Sequence, residues 1–262
     1  MKIVTFNVRC VWKGTDGINS FVNRSGLILD KIGQEKPDII AFQEVTDKIY
    51  DFFKKNLVGY EIAGHGRDKN YDGEGVFIAY RRDSVNLYSL NVYWLSDTPE
   101  VPGSRFEVQS ECPRTCAEAM LKCRESALPI RVYNVHLDHT KGTAGDNIRT
   151  KELNQIIQNI NKNNFIQFMP SFVLGDFNAK PSERCIETFE RKLYLKMKDV
   201  SAKLGDTFHN FKGETSTTAK KIDYIYTDIK TATKLVSVEK WTDFSDGIYL
   251  SDHYPICAEF QL

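Results

Sequence analysis

The sequence predicts an α/β fold, a four-layer α/β/β/α sandwich in which two packed, mostly antiparallel sheets carry helices on their outer faces. Three observations predict it. Short runs rich in β-branched and aromatic residues recur along the 262-residue chain, and amphipathic helical stretches separate some of them. Many short strands with a few interleaved helices are best buried as sheet on sheet with helices outside. No repeat, low-complexity tract or linker-like stretch interrupts the pattern, so 1–262 is expected to be a single domain. A hydrophobic fraction of 41%, with 12% aromatic, supplies the core.

Taken in order, strands are expected at 3–8, 39–42, 76–80, 92–95, 130–137, 172–174, 222–226, 235–241 and 254–260. In 130–137 the valines and Leu137 are expected on one face, with Asn134 and His136 on the other. A helix around 21–32 should stop at Gly33 and Pro37. Thr46 is placed to cap a helix carrying Ile49, Phe52, Phe53 and Leu57. Leu153, Ile156, Ile157 and Ile160 repeat at helical spacing. Pro181 suits the first turn of another helix, with Ile186, Phe189 and Leu193 inward. Segments 64–75, 97–115, 139–147 and 203–219 are rich in Gly, Pro, Ser, Thr and charge, and read as long loops able to reach a substrate.

Charge narrows the partners. Lys plus Arg and Asp plus Glu are 35 each, so no global basic field draws in long nucleic acids, and polyanion binding must rest on a local patch. No apolar run is long enough to span a membrane, and the start of the chain lacks a signal-like stretch. A cytoplasmic chain with six reduced cysteines and no obligate protein partner is therefore expected. Cys112, Cys116 and Cys123 lack the two-plus-two spacing of common zinc sites.

Polar residues gather where the strands end. Asn7, Gln43 with Glu44, His136, and the pair Asp176 and Asn178 after Gly175 all close apolar runs, Asp223 lies inside one, and Ser251-Asp252-His253 precedes the last. Buried carboxylates are costly unless paired or bound to a cation, and an oxygen-rich set without cysteine favours Mg²⁺ or Mn²⁺. Asp176 and Asn178, two residues apart, would share one side of an extended segment, or form an Asx turn.

At this point the chain resembles the endonuclease/exonuclease/phosphatase superfamily, whose fold is that of pancreatic deoxyribonuclease. The matching pieces are Thr5-Phe6-Asn7, Phe42-Gln43-Glu44-Val45, Asn134-Val135-His136-Leu137, Gly175-Asp176-Phe177-Asn178, Ile222-Asp223-Tyr224-Ile225 and Ser251-Asp252-His253, in family order over nearly the whole length. Tyr93-Trp94-Leu95-Ser96 and Pro102-Gly103-Ser104 look like a branch of small uncharacterised members. The resemblance implies that Glu44 is the principal metal ligand, with Asn7 beside it and Asp252 at or near the ion. It implies that Asp176 orients or deprotonates a water, while Asn178 and His136 hydrogen-bond phosphoryl oxygens. His253 would contact the phosphate, held and made basic by Asp223. One departure stands out. Where many members follow an Arg with a Thr-Trp-Ala element, this chain has Ala117 and Glu118 in those Thr-Trp positions, which would remove a hydroxyl and an aromatic wall.

Arg105, Arg114, Arg149 and His139 are candidate substrate contacts, although surface or packing roles are the plainer reading of such arginines. Strand alternation places His139 on the face opposite His136, while His65 and His209 are expected in solvated loops. The expected function is a metal-dependent phosphoesterase, using one or two Mg²⁺ or Mn²⁺ ions and direct attack of an activated water on a phosphodiester. A short or single-stranded nucleic acid is one substrate class. The alternatives are a phosphatase of a small phosphorylated metabolite and, less favoured, a catalytically silent binding protein or a sphingomyelinase-like enzyme.

Overall fold

The computed structural model describes residues 1–10, 16–192 and 196–262. Leu193, expected inward on its helix, lies outside them. Along the chain run β1 (Lys2–Asn7), α1 (Phe21–Glu35), β2 (Ile39–Val45), α2 (Asp47–Asn56), β3 (Tyr60–Gly66), β4 (Gly75–Arg81), β5 (Val85–Trp94), β6 (Thr115–Cys123), β7 (Ile130–His136) and α3 (Gly142–Ile166). Then come β8 (Ser171–Asp176), α4 (Arg184–Lys192), β9 (Met197–Asp199), β10 (Asp223–Asp228), α5 (Ile229–Ala232), β11 (Leu235–Lys240), β12 (Phe244–Ser245), β13 (Ile248–Tyr249) and β14 (Ile256–Phe260).

Among the described residues two six-stranded sheets form, in the orders β11-β14-β1-β2-β4-β3 and β5-β6-β7-β8-β10-β9, and β12 pairs with β13 as a separate hairpin. The pairings β1–β2 and β7–β8 are parallel and the other sheet pairings antiparallel, so both sheets are mixed. Three apolar layers hold the sandwich. Ile28, Ile32, Ile49 and Phe53 of α1 and α2 pack on Val4, Phe6, Ile40 and Phe42. Leu153, Ile156, Ile160 and Phe189 of α3 and α4 pack on Tyr133, Val173, Tyr224 and Tyr226. Between the sheets lie Ile3, Ile39, Ala41, Ala117, Ala119, Val132, Phe172, Leu174 and Ile225.

Strand periodicity makes this middle layer produce a site. Residues 3, 5 and 7 of β1 share the inter-sheet face, as do 39, 41 and 43 of β2, 130 to 136 by twos in β7, 172 to 176 in β8, and 223 and 225 in β10. Each row is apolar at one end and polar at the other. Val132 therefore faces between the sheets with Asn134 and His136, while Val135 faces α3, so the valines of β7 do not share a side.

Helices α1 and α3 run longer than the pattern suggests. α1 continues through Gly33 and ends where Lys36 turns left-handed at φ 47°. Thr46 occupies the N-cap of α2, but its hydroxyl makes no capping bond. Pro181 precedes α4 by three residues and is not in its first turn. α3 begins at Gly142, inside the expected 139–147 loop. Strands β3, β6 and β9 and the short hairpin were not expected. In β6, Cys116 faces α3 and Cys123 faces between the sheets, and Cys112 lies before the strand, so the three thiols do not converge. All six cysteines are free.

Candidate active site

The polar ends of the rows meet at one rim, around a cleft of about 710 Å³. Local geometry aims each side chain. β2 breaks its register with β4 between Phe42 and Val45, and Glu44 there adopts φ 61°. That bulge swings the Glu44 carboxylate out of the strand's alternation and into the cleft, where Oε1 accepts from Asn7 Nδ2 at 3.0 Å and Oε2 from the Cys10 amide at 2.8 Å. Gly175 takes a positive φ of 144° that side chains rarely adopt, and a Cβ there would lie 1.9 Å from the Val135 carbonyl, so only glycine lets β8 run this close to β7.

Asp176 is the hub. Its Oδ1 accepts the Asn178 amide at 2.8 Å, closing an Asx turn, and its Oδ2 accepts from Asn7 Nδ2 at 3.1 Å. The same Oδ2 lies 3.6 Å from His136 Nε2 and 3.8 Å from His253 Nε2. Asn178 is left-handed at φ 49°, so the segment turns after Phe177 and is not extended there; one amide hydrogen goes to the Leu137 carbonyl at 3.0 Å. On the far side, His253 Nδ1 meets Asp223 Oδ2 at 2.8 Å, and Phe208 packs edge-on against the ring. Asp252 accepts from the Ser251 hydroxyl and lies 3.9 Å from Arg9.

The electrostatics divide the carboxylates by role. Burial alone would lower His253, but pairing with Asp223, with Asp176 and Asp252 near, raises it to about 10, so the ring is cationic at neutral pH. Burial, then Asp223, pushes Asp176 up to about 7, the range of a usable base. Burial also raises Asp252, with Glu44 adding repulsion. Glu44 is held low against its burial. His136 contributes to that only when charged, and burial together with Arg114 keeps that ring neutral, so the Cys10 and Asn7 donors are the firmer cause.

The donor set fits a hard divalent cation. Asp176 and Asp252 are buried carboxylates, and half-buried Glu44 raises the proton affinity of both, a repulsion that a cation would relieve through oxygen ligands alone. Asn7 behaves differently from the metal ligand expected of it. Its Nδ2 bridges Glu44 and Asp176, and its Oδ1 accepts the Arg9 amide at 3.0 Å, so as oriented it orders carboxylates. Asp176, Asp223 and His253 cluster tightly enough to ligate an ion, but His253 sits between the two carboxylates as their counter-ion.

The remaining candidates separate. Arg114 is 3% exposed and lines the cleft with His139, which it contacts at 2.8 Å, so His136 and His139 border one cleft despite the expected alternation: β7 ends at His136. Arg149 binds Glu183 at 2.5 Å and the carbonyls of Asp138 and Thr140, outside the cleft lining. Arg105 binds the carbonyls of Gln109 and Ser110 and also lies outside it. Ala117 faces between the sheets and Glu118 pairs with Arg131 and Asn163 beneath α3, so the Thr-Trp departure leaves the cleft wall untouched. His209 is buried and stacked on Tyr254, and His65 lies on β3 against Trp94, so neither is a solvated loop residue. Sequence reasoning missed Arg9, Cys10, Arg67, Glu74 and Lys220 in the lining; each lies in a loop or at a strand edge with no periodic signal.

Comparison with known proteins agrees with this fold. Two curated relatives match in part: an uncharacterised protein of Acanthamoeba polyphaga mimivirus, 27% identical over 145 residues, and Nocturnin of Drosophila melanogaster, 28% identical over 171. These matches cover 53% and 62% of the chain, but the chain spans only 54% and 24% of those relatives' lengths. A solved endonuclease/exonuclease/phosphatase from Bacteroides vulgatus superposes with a TM-score of 0.87 at 26% identity, covering 99% of this chain and 98% of that one. A mannosyl-6-phosphatase from Bacteroides thetaiotaomicron shares the fold, at 0.83 and 24% identity over the full length of both. The Endonuclease/Exonuclease/phosphatase family model spans residues 4–253, from β1 to the histidine at the centre of the cleft, and the chain belongs to that family.

Proposed function

We propose that the chain hydrolyses a phosphoester bond by direct attack of water, aided by Mg²⁺ or Mn²⁺. One observation carries this reading: the chain of contacts Asp223–His253–Asp176–Asn7–Glu44, which crosses both sheets within hydrogen-bond or ion-pair reach. Family members are phosphoesterases, which agrees with it.

Glu44 and Asp252 would hold the ion, with Asn7 fixing the carboxylates. The bound ion supplies neutralisation of charge on the phosphoryl oxygens. Asp176, raised to about 7, accepts a proton from the attacking water. His253, fixed as a cation by Asp223, donates from Nε2 to a phosphoryl oxygen as charge builds there. Asn178 and neutral His136 line the same pocket, and each has a hydrogen to give.

The preferred substrate is a phosphodiester, a short or single-stranded nucleic acid being one class. A phosphatase of a small phosphorylated metabolite is the second reading, favoured by a cleft of about 710 Å³ and zero net charge. The test is a screen with Mg²⁺ and Mn²⁺ across phosphomonoesters, sugar phosphates, cyclic phosphates, diesters and short oligonucleotides, with calorimetric metal titration. Glu44→Ala should abolish metal binding, and Asp176→Ala and His253→Ala should each lower kcat by about 10²-fold or more. Activity surviving both substitutions, or the absence of metal binding by the unmodified chain, would overturn the assignment. A KM that rises steeply with salt marks nucleic acid; a flat response with phosphomonoester turnover marks the metabolite phosphatase.

A further inference from the structure

The cleft contains a second cationic group that the hydrolytic chemistry leaves unused. Arg114 stands where the chain enters β6, and its guanidinium is almost wholly enclosed. Nη2 donates to His139 Nδ1 at 2.8 Å, which leaves the His139 proton on Nε2. The Nε and Nη1 hydrogens of Arg114 have no acceptor. Its neighbour Arg67 is different, paired with Glu74 at 3.0 Å.

No carboxylate pairs directly with Arg114 among the described residues. Glu152 and Asp138 are the acids whose charge acts on it, and both are engaged: Asp138 accepts from Ser110 and Thr140, and Glu152 from Gln109 Nε2 and the Asp138 amide. Those bonds fix the loops on either side of the arginine without filling its donors. Between Arg67, Glu74, Arg114, Thr115 and His136 lies a recess of about 10 Å³, the size of one water. A water there satisfies a donor but brings no charge. Burial, then Arg67, lowers the proton affinity of Arg114, as expected of a cation lacking a counter-ion. Enclosing a guanidinium with idle donors is costly unless an anion completes it.

We propose that Arg114, with Arg67 and His139, forms an anion subsite beside the hydrolytic centre that receives a second anionic group of the substrate. That group is a phosphate or carboxylate carried apart from the scissile phosphoryl; the planar guanidinium fork matches either, while the centre built on His253 and Asp176 handles the bond that breaks. The inference rests on the phosphoesterase reading and narrows it to esters with two separated anions, such as a nucleotide with a terminal phosphate or a sugar bisphosphate.

The test has two arms. In the first, inorganic phosphate and pyrophosphate are titrated into metal-free protein, with Arg114→Gln, Arg114→Lys and, as a control outside the cleft, Arg105→Gln. Arg114→Gln should weaken binding about tenfold or more, Arg114→Lys less, and Arg105→Gln not at all. In the second, kcat/KM is compared for ester pairs differing by one anionic group: the p-nitrophenyl ester of thymidine 5′-phosphate with and without a 3′-phosphate, and glucose 6-phosphate against glucose 1,6-bisphosphate. The unmodified chain should prefer the doubly anionic member of one pair, which identifies the source, and Arg114→Gln should erase that preference through KM. Arg114→Gln should also keep or raise Tm, because it removes a buried charge that lacks a partner. Equal losses on both members, a large fall in Tm, or unchanged phosphate binding would overturn the subsite. If no ester is turned over, the phosphoesterase reading fails, and the metal-free titration still decides the subsite.

Discussion

Single residues carry unusual backbone at this rim. Arg9, Glu44 and Asn178 are all left-handed, at φ 56°, 61° and 49°, and all line the cleft. Each costs roughly 1 kcal/mol, tolerated where the surrounding structure dictates the geometry. Gly175 is the sharpest case. Gly175→Ala should destabilise the fold by about 2–4 kcal/mol and lower activity together, because its methyl meets the Val135 carbonyl; chemical denaturation and kinetics check this. His209 offers a pH prediction. Burial, then His253, lowers it from 6.5 to about 4, while Nδ1 accepts the Gly213 amide. Between those values the unfolded chain binds a proton that the folded chain refuses, so stability falls as pH drops below 6.5, and the whole loss is present below about 4. The difference in unfolding free energy between the native chain and His209→Gln should therefore vary across this window and be constant above it. Asp176 was legible as a candidate because a polar residue ending an apolar strand is conspicuous, Asp223 because a carboxylate inside an apolar run needs a partner, and His253 because its triplet directly precedes the last strand. The burial of His209 was not, since a loop sequence gives no sign of what will stack on it.

At the level of elements, a polar clasp joins the two sheets just below the cleft. Gln43 Nε2 on β2 donates to Asn134 Oδ1 on β7 at 2.7 Å, and Asn134 Nδ2 reaches back to the carbonyls of Phe42 and Phe77 at 2.9 Å each. Either Gln43→Leu or Asn134→Leu strands a buried partner, at about 1–3 kcal/mol per group. The double replacement should cost less than the sum of the two, and a double-mutant cycle by urea denaturation measures the shortfall. A strictly additive result would show that the clasp is not a unit. The strands of this middle region were readable from Val, Ile and Phe. β6 was not, because Ala117, Ala119, Cys116 and Cys123 carry little β preference. β3 was hidden by Gly64 and Gly66, and the bulge that turns Glu44 leaves no trace in residue type.

For the whole molecule, the four layers and the order of strands and helices follow from periodicity, but the meeting of the two sheets does not. Loop residues such as Arg67 and Arg114 join the site only through that meeting. The consequence concerns time. Asn7 and Asp176 are bonded across 169 positions of sequence and across the two sheets, while Asn7 and Glu44 are 37 apart. Such long closures form late and slowly during folding. Under the proposed reading, a partly folded chain with one sheet formed would lack either Glu44 or Asp176, and phosphoesterase activity would be a clock for the last event. On refolding from urea, activity should return with the same rate as near-ultraviolet circular dichroism and lag behind the far-ultraviolet signal. Activity in an earlier phase would mean that one sheet builds the site alone.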